Sequence, residues 1–496
     1  VSKLHGWRLW AVCLGAGAMA ALGQVPFSLV PVALIALAFC CALFMTAANW
    51  RRAALIGWIC GAGYFAVTLH WIVEPFLVDA PRHGWMAPFA LIFSAFGFSL
   101  FWAFGFGLAH GIARPGWCRA VAWAVAMTMG EMLRGYILTG FPWAMLGYIW
   151  SEGRGAQIVA VIGPYGLTLV TLLGVAIAAH LDRRRSAALV LVGLWGWIIG
   201  TGHLLLDPAQ PAPADAATLR LVQPNAPQNE KWDPDRAMVF FNRQLDYTAA
   251  PGAPDLTIWP ETAIPWLAEP GHPALEQIAF AAQDRPVIIG AQRLEGFRAF
   301  NSLLRLGVGG EINATYDKHH LVPLGEYIPF GQVTSWMGLQ SFAAQDGYGF
   351  SAGPGPELLD LGPLGRTLPL ICYEAVFPQD LRGTARPDWI VQITNDAWFG
   401  TFAGPQQHLA QARLRAIEQG LPLVRVANTG ISGLIDARGR LRDHIPLGQA
   451  GYIDVRLPKA RAATPYSKTG DLPLALLLCV FAAALLPGRS AKVIDP

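Results

Sequence analysis

Long apolar stretches crowd the first 206 residues, and short apolar runs broken by polar turns fill most of the remaining chain. The long stretches cover about residues 9–22, 26–48, 53–73, 86–113, 117–133, 157–181 and 187–206, with one more at 472–486. Most reach the roughly 17 to 25 residues that a helix needs to cross about 30 Å of hydrocarbon. The pattern predicts a polytopic α-helical membrane domain of about eight transmembrane helices. The first stretch, with Lys3 and Arg8 ahead of it, has the outline of a signal peptide. Six further hydrophobic segments come directly after it, so it reads as an uncleaved helix.

A linker rich in Ala and Pro (residues 207–217) leads into a different texture. Short apolar runs at 219–222, 256–259, 287–290, 302–306, 368–372, 389–393 and 423–426 read as buried strands. Helical stretches lie between several of them, at 234–247, 273–282 and 405–419. Strands alternating with helices over about 240 residues predict a layered α/β domain, at 218–457, inserted ahead of the final apolar segment in 458–496. No internal repeat is visible.

Composition sharpens this division. The chain is 54% hydrophobic and 14% charged, where a soluble protein carries about 25% charged residues, and only 17 of its 69 charges fall in the first 206 positions. Basic residues set an orientation. With the N-terminus cytoplasmic, Lys3, Arg8, Arg51, Arg52, Arg114, Arg119 and Arg183 to Arg185 lie inside, against Arg82, Arg134 and Arg154 outside. That bias places both termini in the cytoplasm and leaves the α/β domain facing the periplasm or cell exterior. A net charge of +3, scattered along the chain, argues against a nucleic-acid partner. Two readings are open for Glu131 and Arg134 at the outer end of the fifth segment, a helix-capping salt bridge or a lipid-headgroup contact, and Glu74 is treated the same way.

Six cysteines fall in or beside hydrophobic segments, leaving Cys372 alone in the α/β domain without a disulfide partner there. It comes after an apolar run, as do Glu261 in Ile258-Trp259-Pro260-Glu261 and Lys318 in Tyr316-Asp317-Lys318-His319. Residues just past the carboxyl ends of strands are where α/β domains build sites. A carboxylate, an ammonium and a thiol so placed can perform acyl transfer: the carboxylate takes the thiol proton, and the ammonium stabilises thiolate and oxyanion. No phosphate-binding G-x-x-x-x-G-K-[ST] loop and no H-E-x-x-H zinc pair is present. His319 and His320 are adjacent and not spaced as a metal pair on one helix face, so they read as local structure, with no metal.

Trp259-Pro-Glu261, Asp317-Lys318-His-His-Leu-Val-Pro and Ile371-Cys372-Tyr-Glu, in this order, resemble the Glu-Lys-Cys triad of the nitrilase, or carbon-nitrogen hydrolase, superfamily. With Val222-Gln-Pro-Asn225, Gly325-Glu-Tyr-Ile-Pro-Phe330, Thr394-Asn-Asp-Ala-Trp-Phe-Gly400, Ala427-Asn-Thr-Gly-Ile-Ser432 and the eight-segment frame, nearly the whole chain resembles the apolipoprotein N-acyltransferase family. The resemblance implies an αββα nitrilase-like sandwich and a cofactor-free transfer of an acyl chain. The donor is a phospholipid in the bilayer, and the acceptor is the α-amino group of the N-terminal diacylglyceryl-cysteine of an apolipoprotein. It implies a ping-pong cycle through a thioester, with Glu261 as general base, Lys318 as stabiliser and Cys372 as nucleophile. Glu326, Tyr373, Glu374 and Trp232 are implied as supporting residues.

Two other readings compete. One is a membrane-tethered amide or nitrile hydrolase with the same triad, for which seven consecutive helices are more than a tether requires. The other is a transporter or channel with a passive outer domain, against which stand the few charges within the helices and the lack of an obvious polar pathway in the sequence. The segment 334–351, with Trp336, Phe342 and several glycines, has two readings, a core-packed loop and, the one favoured, a glycine-hinged lid that dips into the outer leaflet.

Overall fold

The computed structural model describes residues 6–208, 212–328 and 349–485. The chain forms two compact units, one made of Val1–Val73, Trp85–Leu206 and Thr469–Pro496, the other of Glu74–Gly84 and Asp207–Lys468.

The first unit is helical, and it corrects the expectation of eight transmembrane helices. Among the described residues three helices are long and apolar enough to cross a membrane: Ala80–Ile112, Arg154–His180 and Arg184–Leu205. A fourth is counted only if the pair Trp50–Thr68 and His70–Leu77, bent by 66°, is one span. The remaining apolar stretches fall short for physical reasons. Trp7–Ala21 and Val30–Met45 hold 15 and 16 residues, and at 1.5 Å per residue each is shorter than about 30 Å of hydrocarbon; Leu472–Leu485 runs to the last described residue. Trp117–Tyr136 has the length but carries Arg119, Glu131 and Arg134.

Glu131 and Arg134 are both buried inside this unit, which removes the lipid-headgroup reading. Arg134 donates to the carbonyls of Phe141 and Trp143, each at 2.5 Å. Glu131 accepts from the Leu146 backbone N–H at 2.8 Å and the Thr168 hydroxyl at 2.9 Å. The pair thus satisfies the irregular backbone between two helices, where no water is available to do so. Trp7–Ala21 and Trp50–Thr68 pack backbone to backbone through glycine: a Cβ on Gly17 would lie 1.7 Å from the Cys60 carbonyl oxygen. Small residues are what such close helix approaches require.

The second unit is built on two six-stranded mixed sheets. The first has the order β12-β1-β2-β3-β4-β5, with β1 Thr218–Gln223, β2 Leu256–Ile258, β3 Val287–Glu295, β4 Arg298–Leu306, β5 Ile312–Asp317 and β12 Gly451–Arg456. The second runs β11-β10-β9-β8-β7-β6, with β6 Leu359–Asp360, β7 Arg366–Ile371, β8 Trp389–Thr394, β9 Leu423–Ala427, β10 Ser432–Ile435 and β11 Leu441–Ile445. Three adjacent parallel strands, β1-β2-β3 and β7-β8-β9, sit inside antiparallel neighbours in both sheets. The pairing pattern repeats although no sequence repeat exists.

Strand alternation explains the layers. Leu219, Leu221, Leu256 and Ile258 from the first sheet meet Ile371, Val391, Ile393 and Val424 from the second in one core. Val222, Val287 and Ile289 face the other way, into a core shared with Phe241, Leu275 and Ile278 of helices Pro234–Ala249 and Pro273–Ala281. Leu368, Leu370 and Ile390 likewise pack under Leu409, Ala412 and Ala416 of helix Gly404–Gln419. Because both faces are covered, the central strands are buried at nearly every position and read as continuous apolar runs.

One contact fixes the loop after β2 on β3. The Gly290 N–H donates to the Pro260 carbonyl at 3.1 Å, and a Cβ on Gly290 would sit 2.5 Å from both that oxygen and the Glu261 Cα. Gly290→Ala must therefore push the Glu261 backbone aside, at about 1–3 kcal/mol. Thermal unfolding in detergent is expected to fall by several degrees, with Glu261 displaced. An unchanged melting temperature would show that the loop shifts freely.

Candidate active site

Chain ends of the strands supply the site. Glu261 stands three residues after β2, Lys318 directly after β5 and Cys372 directly after β7, so the first sheet contributes two and the second sheet one. All three side chains are buried.

Lys318 is the centre of the arrangement. Its Nζ lies 2.8 Å from Glu326 Oε2, donates to Glu326 Oε1 at 2.9 Å and is 3.6 Å from Glu261 Oε1. Burial alone would lower its pKa, but the Glu326 and Glu261 charges outweigh that, and the ammonium is held above its ordinary value. Asn301 on β4 ties the two acids together, donating from Nδ2 to Glu261 Oε1 at 2.7 Å and to Glu326 Oε1 at 3.0 Å. The Val322 N–H donates to Glu326 Oε2 at 2.8 Å.

Glu261 is gripped from the second sheet as well. The Asn395 backbone N–H, just after β8, donates to its Oε2 at 2.8 Å. The Asn395 side chain is fixed in turn by Asn428 and Gln228, at 2.9 and 2.8 Å. Lys231 Nζ donates to the Glu261 carbonyl at 3.2 Å and to the Thr262 hydroxyl at 2.8 Å. Burial brings the Lys231 pKa down to about 7, with the Glu261 charge pulling the other way. The Trp232 ring centroid lies 5.0 Å from that ammonium, and Trp232 lines a small cleft with Lys231, Pro224, Phe240 and Pro260.

Burial pushes the Cys372 thiol up, and the Glu261 carboxylate adds to this; the Lys318 charge and a Thr394 hydrogen bond pull it back without cancelling the rise. A protonated thiol beside a carboxylate and a permanent ammonium is set up for general-base activation at the moment of attack, not for a standing thiolate. Cys372 also adopts φ +51°, a left-handed conformation that costs a non-glycine residue about 1–3 kcal/mol and persists only where its surroundings enforce it.

Glu374 supplies part of that enforcement. Fully buried, it accepts from the Ile371 N–H at 2.7 Å, the His319 N–H at 2.8 Å and the Tyr316 hydroxyl at 3.0 Å. It thereby ties the Cys372 turn to the Lys318 strand end. Tyr373 is buried and packs edge-on against Phe377 at 4.9 Å. Among the described residues, His319, His320 and Asp380 have donor atoms within metal-ligand spacing. His319 Nδ1 is 2.7 Å from Glu374 and His320 Nδ1 2.9 Å from Asp380. Trp336 and Phe342, and residues 334–348 of the expected lid, lie outside the described residues. Phe350, from the same segment, is buried.

Sequence reasoning named no role for Asn301, Lys231 or Asn395. For Asn301 the available signal was a polar residue opening an otherwise apolar run, since Asn is depleted in strands. It also missed the polar residues inside β8 and β9, Gln392 and Arg425.

A model of the apolipoprotein N-acyltransferase N-terminal domain matches residues 16–177, and a carbon-nitrogen hydrolase model matches residues 218–464. An apolipoprotein N-acyltransferase from Rhodopseudomonas palustris is 39% identical over 96% of this chain and 94% of its own. Those from Bradyrhizobium diazoefficiens and Caulobacter vibrioides are 38% and 36% identical over 98% and 99% of this chain, and 96% and 97% of their own. Among solved structures, a carbon-nitrogen hydrolase superfamily protein from Xanthomonas campestris is 20% identical over 53% of this chain and 96% of its own, with a TM-score of 0.37.

His319 provides a stability test of the site's frame. Burial lowers its pKa, but hydrogen bonds to Asp380 and Glu374 and their charges outweigh this and raise it from 6.5 to about 9. A folded value above the unfolded one gives stability that is full below pH 6.5 and lost as pH rises through about 9. The gap in thermal stability between wild type and His319→Gln is expected to be widest near pH 6 and to narrow above about pH 9. A gap that does not change with pH would place a neutral imidazole there.

Proposed function

Because the chain belongs to the apolipoprotein N-acyltransferase family, an acyltransferase family of lipoprotein maturation in the inner membrane, we propose that it moves an acyl chain through Cys372. The donor is a phospholipid and the acceptor is the α-amino group of the N-terminal diacylglyceryl-cysteine of an apolipoprotein. The observation that carries this reading is the buried Lys318 ammonium held between Glu261 and Glu326 beside a protonated thiol.

Those positions support the following chemistry. Glu261 takes the Cys372 proton as Sγ attacks the ester carbonyl of the phospholipid. Lys318 stabilises the oxyanion, and Glu326 and Asn301 keep its ammonium in place. Collapse breaks the ester C–O bond, and the proton on Glu261 passes to the departing lysophospholipid oxygen. The thioester left on Cys372 then meets the α-amino group: a C–N bond forms, the C–S bond breaks, and the amine proton returns through Glu261 to sulfur. Ester to amide is downhill, so no nucleotide enters. Trp232 and Tyr373 support the reading as residues around the site. The basic-residue bias supports cytoplasmic termini and a periplasmic α/β domain, on the side where exported lipoproteins are found.

Intact-mass measurement of enzyme incubated with phosphatidylethanolamine is expected to show one added acyl group, labile to hydroxylamine and absent in Cys372→Ala. An adduct retained by the alanine variant would remove Cys372 as the nucleophile. Addition of a diacylglyceryl peptide should discharge the adduct to the peptide; discharge to water alone would indicate a hydrolase.

Lys318→Arg is expected to slow acylation on the order of 10²-fold despite its charge. A planar guanidinium does not fit a cage built on a compact ammonium, with carboxylate oxygens at 2.8 and 3.6 Å. A near-normal acylation rate would show that any cation suffices.

A further inference from the structure

The Cys372 carbonyl oxygen is the meeting point of a second buried network that the acyl-transfer chemistry does not use. It accepts from His408 Nε2 at 3.1 Å and from Gln392 Nε2 at 3.3 Å. Both donors lead back to one residue. Arg425 donates from one terminal nitrogen to Gln392 Oε1 at 2.6 Å and from the other to Asp396 Oδ2 at 2.5 Å. Asp396 Oδ1 is 3.0 Å from His408 Nδ1 and accepts from the Thr394 hydroxyl at 3.0 Å. The guanidinium thus forks into two arms, one through Gln392 and one through Asp396 and His408, that close on a single carbonyl.

Four observations argue that this fork acts on the nucleophile. Gln392, Asp396, His408 and Arg425 are all fully buried, although apolar residues of similar volume would serve the core as well or better. Arg425 orients the Gln392 amide, so its Nε2 is left facing the carbonyl. An Arg425 terminal nitrogen, which only donates, lies 3.3 Å from His408 Nδ1, so in the Nε2–H tautomer that the positioning role requires, Nδ1 accepts from Arg425 and Nε2 donates to the Cys372 carbonyl. Finally, Cys372 has a left-handed backbone, a conformation that needs external support.

We propose that Arg425, acting through Gln392 and through Asp396 and His408, is a positioning device that pins the Cys372–Tyr373 peptide and so aims Sγ along its line of attack. The peptide unit is planar, so holding its oxygen from two directions fixes the orientation of the whole unit. Both arms end on the Cys372 carbonyl oxygen. Reaction geometry is sensitive to this: a displacement of about 1 Å can cost on the order of 10²-fold in rate.

This positioning role rests on the acyl-transfer reading, and one experiment separates the two. Single-turnover acylation by phosphatidylethanolamine, monitored by intact mass, is compared for wild type, His408→Leu and His408→Gln. In parallel, Cys372 is alkylated with iodoacetamide, a small reagent with little demand on the direction of approach. His408→Leu is expected to acylate on the order of 10²-fold more slowly, with the half-saturating phospholipid concentration and the alkylation rate unchanged. His408→Gln, which keeps an N–H near the Nε2 position, is expected to recover most of the rate. Wild-type acylation by the leucine variant would overturn the proposal. So would a glutamine variant no better than leucine, or alkylation that accelerates together with a fall in melting temperature, since either marks a purely structural role. Absence of an adduct on wild type itself would defeat the acyl-transfer reading and the positioning role with it.

Discussion

A buried ammonium between two carboxylates governs the architecture around the site. Lys318 is almost wholly removed from water, and an unpaired charge there would cost several kcal/mol. Glu261 and Glu326 offset that cost, but each then needs donors of its own. Asn301 serves both, the Val322 N–H serves Glu326, and the Asn395 N–H serves Glu261. Satisfying one cation therefore draws in β4, the turn after β5 and the end of β8 from the opposite sheet. The sandwich and the site are one electrostatic solution.

Cys372 shows the complementary strategy. Its thiol is held protonated by burial and by the neighbouring carboxylate, and its backbone sits in a conformation that isolated chains avoid. Glu374 accepts from the Ile371 N–H on one side of the turn and from the His319 and His320 N–H groups beyond the Lys318 strand end, while Gln392 and His408 lie against the Cys372 carbonyl. The environment of Cys372 is thus set by geometry and proximity and not by a standing negative charge.

The helical unit obeys different rules because its backbone must satisfy itself. Gly17 and Gly63 let two helices touch along their backbones, and Glu131 with Arg134 serves the irregular stretch after the helix Trp117–Tyr136. Apolar length along the chain was a poor guide to spanning length. Breaks such as the 66° bend after Thr68 and short helices such as Trp7–Ala21 depend on how neighbours pack, which hydropathy does not report.

Chain order alone made the local and compositional features legible: two unlike regions, apolar runs that became β1 to β4 and β7 to β9, helical stretches at 234–247, 273–282 and 405–419 that became helices with ends within two residues of these, and ionisable residues just past strand ends. Those signals persist because burial on both faces and strand polarity write themselves into neighbouring residues. The short strands β6 and β11 and the pairing of β12 with β1 left no such trace, since their partners are remote or their burial is partial. Tertiary packing was needed to bring Asn301 between two acids, to bury Lys231 against the Glu261 backbone, and to let Arg425 reach Cys372 through two arms. The physical reason is the same in each case: a buried polar side chain is explained by its partner, and the partner is brought there by the fold and not by the chain's order.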